Sequence, residues 1–115
     1  MANYRLERVS QLLAQQLGLM ITQAEIKDPR VGSLVSVSHV ELSKDFAYAK
    51  VYISSFEDHE KLKSAVDGLN HAAGFIQSVV GKRIRLRNTP RLSFFADHGI
   101  EDAFHINEKI KEALS

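Results

Sequence analysis

The chain has 115 residues, 44% hydrophobic and 25% charged, with 15 Lys+Arg against 14 Asp+Glu. That composition suits one folded domain around a single core and excludes a disordered or fibrous chain. The absence of cysteine excludes disulfides, thiolate metal sites and a cysteine nucleophile. No apolar run approaches the roughly 18 residues of a membrane helix, and the polar start from Met1 to Arg8 lacks a signal-peptide core. The expected setting is a soluble cytoplasmic protein without a membrane partner.

Leu6, Val9, Leu13, Leu17, Met20 and Ala24 recur every three or four residues. This is the stripe of an amphipathic helix, placed over residues 3–25. The Asp28-Pro29 step is expected to end it, because the residue before proline is pushed out of the α region. Residues 34–43 read as a strand whose apolar phase slips by one near His39, which predicts a bulge there. Ala47, Ala49, Val51 and Ile53 alternate with Tyr48, Lys50 and Tyr52, a second strand with two distinct faces. The short link Ser43-Lys44-Asp45 favours an antiparallel hairpin.

Asp58 is placed as the N-cap of the next helix. Leu62, Ala65, Leu69 and Ala72 form its apolar stripe, which resumes with Phe75, Ile76, Val79 and Val80. Glycine costs about 1 kcal/mol inside a helix relative to alanine. Gly74 is therefore read as a kink between two helices, with Gly81 near the end of the second. Asn88-Thr89-Pro90 is a turn signal. Residues 91–96 read as a third strand, with Leu92 and Phe94 on one face. Ile106, Ile110 and Leu114 suggest a final short helix in a C-terminal tail over residues 98–115. One domain, residues 1–115, accounts for the whole chain.

Charge is distributed unevenly along these elements. The 29 residues from Gly68 to Ala96 contain five basic residues, Lys82, Arg83, Arg85, Arg87 and Arg91, and no acidic one. The rest of the chain holds ten basic and fourteen acidic residues. Clustered positive charge is the electrostatic footprint of a nucleic-acid-binding face. Arginine suits bidentate phosphate contact. If the segment is extended, alternation places Arg83, Arg85 and Arg87 on one side. Replacing those three with alanine is then expected to weaken binding while leaving thermal stability nearly unchanged. The small residues Ala72-Ala73-Gly74 would let another backbone approach closely, and a helix starting near Phe75 would aim free N–H groups at that junction.

Other candidates carry less. The strand aromatics Tyr48, Tyr52, Phe94 and Phe95 fit a half-buried pleated surface without any ligand, and that reading outweighs base stacking. His98, Asp102 and His105 share a helical spacing, but the flanking Gly99 argues against a metal site. There is no H-E-x-x-H, no phosphate-cradling G-x-x-x-x-G-K-[ST] loop and no G-x-S-x-G. Nothing argues for an enzyme or a cofactor. A basic face meeting an acidic protein partner stays open as the alternative to nucleic acid.

Helix–strand–strand–helix–kink–helix–strand with a basic flank resembles a type II KH domain, an α+β fold with a three-stranded sheet packed on helices. The usual G-x-x-G loop is replaced by A-x-G, here Ala72-Ala73-Gly74. Set within Asn70-His71-Ala72-Ala73-Gly74-Phe75-Ile76 and followed by Gly81-Lys82-Arg83-Ile84-Arg85-Leu86-Arg87, this pattern resembles the ribosome-binding factor A family. Glu25-Ile26-Lys27-Asp28-Pro29-Arg30-Val31, Tyr48-Ala49-Lys50-Val51-Tyr52-Ile53-Ser54 and Pro90-Arg91-Leu92-Ser93-Phe94-Phe95 also match, as does the segment from Val37 to Leu42. The likeness runs from about Arg5 to Ile110. It implies a monomeric, non-catalytic assembly factor that binds free small (30S) ribosomal subunits, their precursors and 16S rRNA. It further implies support of late 16S maturation, including 5′-end processing, growth in the cold, and dealings with other assembly factors. On these residues, Lys82, Arg83, Arg85, Arg87 and Arg91 would hold phosphates, and Ala72 and Gly74 would let the RNA backbone approach. Lys27 and Arg30 join them from the Asp-Pro-Arg segment. Without G-x-x-G, the four-nucleotide KH grip does not carry over.

Overall fold

The computed structural model describes residues 4–32, 35–56, 58–86 and 88–97. Its elements are α1 (Tyr4–Thr22), β1 (Val35–Leu42), β2 (Tyr48–Ser55), α2 (His59–His71), α3 (Ala73–Ile84) and β3 (Arg91–Ala96). β2 is the central strand, antiparallel to β1 and parallel to β3. A parallel neighbour needs a long crossover, and the α2–α3 pair supplies it. The inward residues of the sheet and the apolar stripes of the three helices make one cluster, including Leu13, Leu17, Met20, Val51, Ile53, Leu69, Ile76 and Val80. Truncating a side chain as fully enclosed as Leu13 or Leu69 to alanine would cost about 3 kcal/mol. Alternate strand residues such as Ser36, Lys50, Arg91 and Phe95 are exposed, so the other sheet face is open to solvent.

Of the expected stripe α1 buries Val9, Leu13, Leu17 and Met20, and Ile21 joins them; Leu6 is half-buried and Ala24, beyond the helix end, is exposed. The helix ends at Thr22, earlier than the Asp28-Pro29 step predicts. Ala24 adopts the left-handed conformation (φ 54°). The Glu25 N–H donates to the Met20 carbonyl and the Ala24 N–H to the Ile21 carbonyl. That bond pair is a Schellman motif, which closes a helix by satisfying its last carbonyls. Alanine stands where glycine is usual, so the stop signal is invisible in composition.

The bulge near His39 is present: the β1–β2 register shifts between Val37 and His39. The hairpin is held by Asp45 Oδ1, which accepts from the Ser43 hydroxyl at 2.8 Å and the Ala47 N–H at 3.1 Å. Asp58 caps α2 as expected, its side chain accepting from the Lys61 N–H at 2.9 Å.

The break between α2 and α3 falls at Ala72, not at Gly74. Ala72 has φ −91° and ψ 6°, a bridge conformation open to any L residue, so the break needs no glycine. Gly74 lies in the first turn of α3, and a Cβ built there would meet nothing within 4 Å. Gly81 stands in the last turn of α3, near its end as expected, and the helix closes at Ile84. Gly81 is needed because Thr89 packs against the helix there, and a Cβ would overlap its Oγ1. Arg85 caps α3 in the left-handed region (φ 59°), its N–H donating to the Gly81 carbonyl.

The free edge of β3 is stapled by the helices. Asn70 of α2 accepts from the Phe94 N–H at 2.8 Å and donates to the Phe94 carbonyl at 2.9 Å. Gln77 of α3 accepts from the Leu92 N–H at 3.2 Å. Covering an edge in this way satisfies its backbone and prevents strand addition. The C-terminal tail over residues 98–115, with its three spaced polar residues His98, Asp102 and His105, lies outside the described residues.

Candidate nucleic-acid interface

The site is built where the α1–β1 loop docks against the α2–α3 junction. The Arg30 guanidinium forks onto Asp28, Nε to Oδ1 at 2.9 Å and NH2 to Oδ2 at 2.8 Å, while the Arg30 N–H also donates to Oδ1. These bonds hold the Asp28 carboxyl down at about 2, the Arg30 side chain contributing most and its backbone N–H next. The closed pair lies against Gly68 of α2. A Cβ at Gly68 would stand 3.0 Å from Asp28 Oδ1 and 3.1 Å from Arg30 Cβ. Glycine here permits close approach, since any side chain would push the pair outward by a few tenths of an ångström.

A second clamp joins the same loop to the end of α3. Glu25 accepts from both terminal nitrogens of Arg83, the NH1 bond measuring 3.1 Å. The arginine lowers the Glu25 carboxyl below its ordinary value, and the carboxylate raises the Arg83 guanidinium above its own. One bidentate pair thus shapes the loop from within, and the other ties it to α3.

Eight of the nine predicted site residues fall into three groups. Arg83 and Arg30 are clamp residues with carboxylates of their own. Lys27, Lys82, Arg85 and Arg91 are exposed and have no carboxylate partner among the described residues. Ala72 and Gly74 sit at the break and the first turn after it, with no side-chain cap on α3. Arg87 lies outside the described residues. Arg83 and Arg85 do not form part of an extended alternating row, because α3 runs to Ile84 and takes Arg83 onto a helix, with Arg85 as its left-handed cap. Arg83 is also committed to an ion pair of its own with Glu25, so its removal is expected to loosen the loop.

The cations leave α3 and enter β3 around one turn. Lys82 is in the last turn of α3, Arg85 is its cap, and Arg91 begins β3, opposite Tyr48 of β2. Placing cations there also complements the negative end of the helix dipole. Next to the break, Lys27, Asp28 and Pro29 of the loop and His71, Ala72 and Phe75 of the junction line an open groove. Sequence reasoning missed His71 and Phe75 as site residues, and Gly68, Asn70 and Gln77 as the groups that shape the site. A signal existed for two of them. Asn70 is a poor helix-interior residue unless its amide has work elsewhere. Phe75 stands one residue off the buried pair Ile76 and Val80, so on a helix it leaves the core face.

Compared with known proteins, the chain matches the model of "Ribosome-binding factor A" over residues 5–110. The chain belongs to the ribosome-binding factor A family. It is 42% identical over 109 residues to ribosome-binding factor A of Caldanaerobacter subterraneus subsp. tengcongensis, covering 95% of this chain and 88% of that one. The crystal structure of ribosome-binding factor A from Thermus thermophilus superposes with a TM-score of 0.66 at 31% identity, over 78% of this chain and 93% of that one. A homology model of Thermus thermophilus ribosome-binding factor A, fitted into the cryo-EM map of a 30S complex with that factor, is also similar. Its TM-score is 0.54 at 31% identity, over 73% of this chain and 90% of that one. The fold is the expected KH-like α+β architecture of that family. Its helix break is the A-x-G element, with the turn made by Ala72 and the glycine inside the helix that follows.

Proposed function

We propose that this protein is an assembly factor of the small ribosomal subunit. It binds free 30S particles and their precursors through 16S rRNA, and it supports late maturation, including processing of the 16S 5′ end and growth in the cold. The observation that carries the RNA contact is the set of exposed cations without acidic partners among the described residues, Lys82, Arg85 and Arg91, gathered where α3 hands over to β3. Such cations hold phosphates and set position, not sequence preference. Their neighbourhood in chain order is free of carboxylates from Gly68 to Ala96, and the carboxylate the fold brings beside them, Glu25, is taken up by Arg83. The homology model of the Thermus thermophilus relative, fitted into the map of a 30S complex, supports the choice of partner. Mechanism here is binding; no residue is assigned a chemical step.

Co-sedimentation with purified 30S subunits tests the contact. The protein is expected to travel with free 30S particles, and the double variant Lys82→Ala/Arg85→Ala to be left at the top of the gradient at the same salt. Equal co-migration of that variant would sink the assignment. Primer extension on rRNA from cells depleted of the protein at low temperature tests the maturation role, for which unprocessed 5′ ends are expected to accumulate. The rival, an acidic protein partner, predicts a pull-down that survives nuclease.

A further inference from the structure

The groove beside the helix break has chemistry that phosphate contacts leave unused. Phe75 is 52% exposed on α3, while Ile76 and Val80 of the same helix are fully buried. A large ring half in water, at a site of polyanion attraction, is the feature that simple electrostatics does not explain. Across the groove stand Lys27 and Pro29. The Asp28–Arg30 fork, formed within the loop that carries them, packs against Gly68, and the Glu25–Arg83 pair ties that loop to α3, so the groove is shaped before anything enters it.

We infer that this groove takes one unpaired nucleotide of RNA, its base stacked on the Phe75 ring and its phosphate facing Lys27. The inference rests on the rRNA-binding reading above and specifies what that interface receives. The charge balance supports a nucleotide. Among the described residues, Asp28 is the one carboxylate lining the groove, and both of its oxygens are occupied by Arg30. Lys27 has no acidic partner among the described residues, and His71 adds a second nitrogen-bearing side chain at the junction. An A-form duplex keeps its bases inside and offers phosphate, so it would leave Phe75 against charged oxygens. An unstacked base offers the flat π-face that an exposed aromatic ring accepts regardless of base identity. The groove therefore selects single-stranded or flipped-out positions in the rRNA.

The test compares Phe75→Leu and Phe75→Trp with Lys82→Ala/Arg85→Ala in the full chain, after thermal unfolding has established that each is folded. The probes are purified 30S subunits, a hexa-adenylate strand and a short RNA duplex, across a salt series. Phe75→Leu keeps an apolar side chain but loses the ring. It is expected to bind the 30S subunit and the hexamer roughly tenfold more weakly, with the salt slope and duplex binding unchanged. Phe75→Trp is expected to bind like the wild type. If Phe75→Leu also binds both probes like the wild type while the cation variant is weakened, the stacking inference fails and the rRNA reading stands. If the cation variant is not weakened either, the rRNA reading itself fails. A Phe75→Leu loss confined to the duplex would likewise overturn the single-stranded assignment.

Discussion

Within the acid-free stretch, Gly68, Asn70 and Gln77 work inward, whereas Lys82, Arg85 and Arg91 work outward. In the first half, Gly68 makes room for the Asp28–Arg30 pair, and Asn70 and Gln77 occupy the backbone of β3. In the second half, Lys82, Arg85 and Arg91 reach solvent without carboxylate partners among the described residues. The lack of acids thus has two physical meanings. Next to β3 a carboxylate could not reproduce the two-sided hydrogen bonding of an amide, since it only accepts. Around the α3 cap a carboxylate would cancel the attraction for phosphate. Arg83 marks the boundary, for it lies in the basic run yet spends its charge on Glu25.

The largest effect expected from this division is on stability, in the first half. Asn70→Leu would leave the Phe94 N–H and carbonyl without their amide partner, at a cost of about 2 kcal/mol. Urea unfolding reads that loss. The affinity of the folded fraction for 30S subunits should stay close to wild type. A large affinity loss with unchanged stability would mean that Asn70 contacts RNA directly, and the division would collapse.

The second half should respond in the opposite way. Lys82→Ala/Arg85→Ala is expected to weaken 30S binding roughly tenfold near physiological salt, and to make the slope of log affinity against log salt shallower by about 1.4. Its unfolding midpoint should hardly move, because neither side chain has a carboxylate partner among the described residues to lose. Arg83→Ala should not follow this pattern. Its expected signature is a change in the docking of the α1–β1 loop, read as amide shifts in residues 25–30, with little change in salt slope.

Long, periodic elements are legible in the sequence. The α1 stripe, the bulge near His39, the Asp58 cap and the three strands all follow from apolar spacing and turn chemistry. What escapes depends on partners distant in sequence or on conformations that residue type does not announce. Ala24 and Arg85 take left-handed φ values without being glycine, so the end of α1 and the reach of α3 differ from expectation. Helix propensity points to Gly74 for the kink, but the break needs only a bridge conformation at Ala72. The Arg83–Glu25 pair spans 58 residues, and no local pattern encodes it. Thus the basic run is visible as charge, while the division of its arginines between clamp and surface requires the fold.

A sharper version of the comparison comes from Arg85, where conformation and charge oppose each other. A non-glycine residue in the left-handed region costs about 1 kcal/mol. Arg85→Gly removes that cost and the cation together. It is expected to raise unfolding stability by about 1 kcal/mol while lowering 30S affinity roughly fourfold at physiological salt. Stability and binding moving in opposite directions would establish that this strained cap is kept for its charge. If the glycine variant binds as well as the wild type, Arg85 belongs with the structural residues.

The smallest expected effect concerns pH and the loop clamp. The Asp28 carboxyl sits near 2 in the folded protein, against an ordinary value of 3.8, because Arg30 donates to its charged form. A carboxyl whose folded value is depressed contributes stability above its unfolded value and loses it as pH falls through the folded one. The clamp should therefore weaken between about pH 4 and pH 2, with Glu25 shifting in the same direction through Arg83. Asp28→Asn keeps an acceptor for the Arg30 N–H but cannot ionise. In that variant the acid-induced fall of the urea midpoint across this window should be smaller than in the wild type. Amide shifts of Lys27 and Ala72 should report loop release in the wild type over the same window. An identical pH profile in both proteins would mean that the Asp28–Arg30 fork does not hold the loop, leaving Gly68 and the Glu25–Arg83 pair to shape the groove.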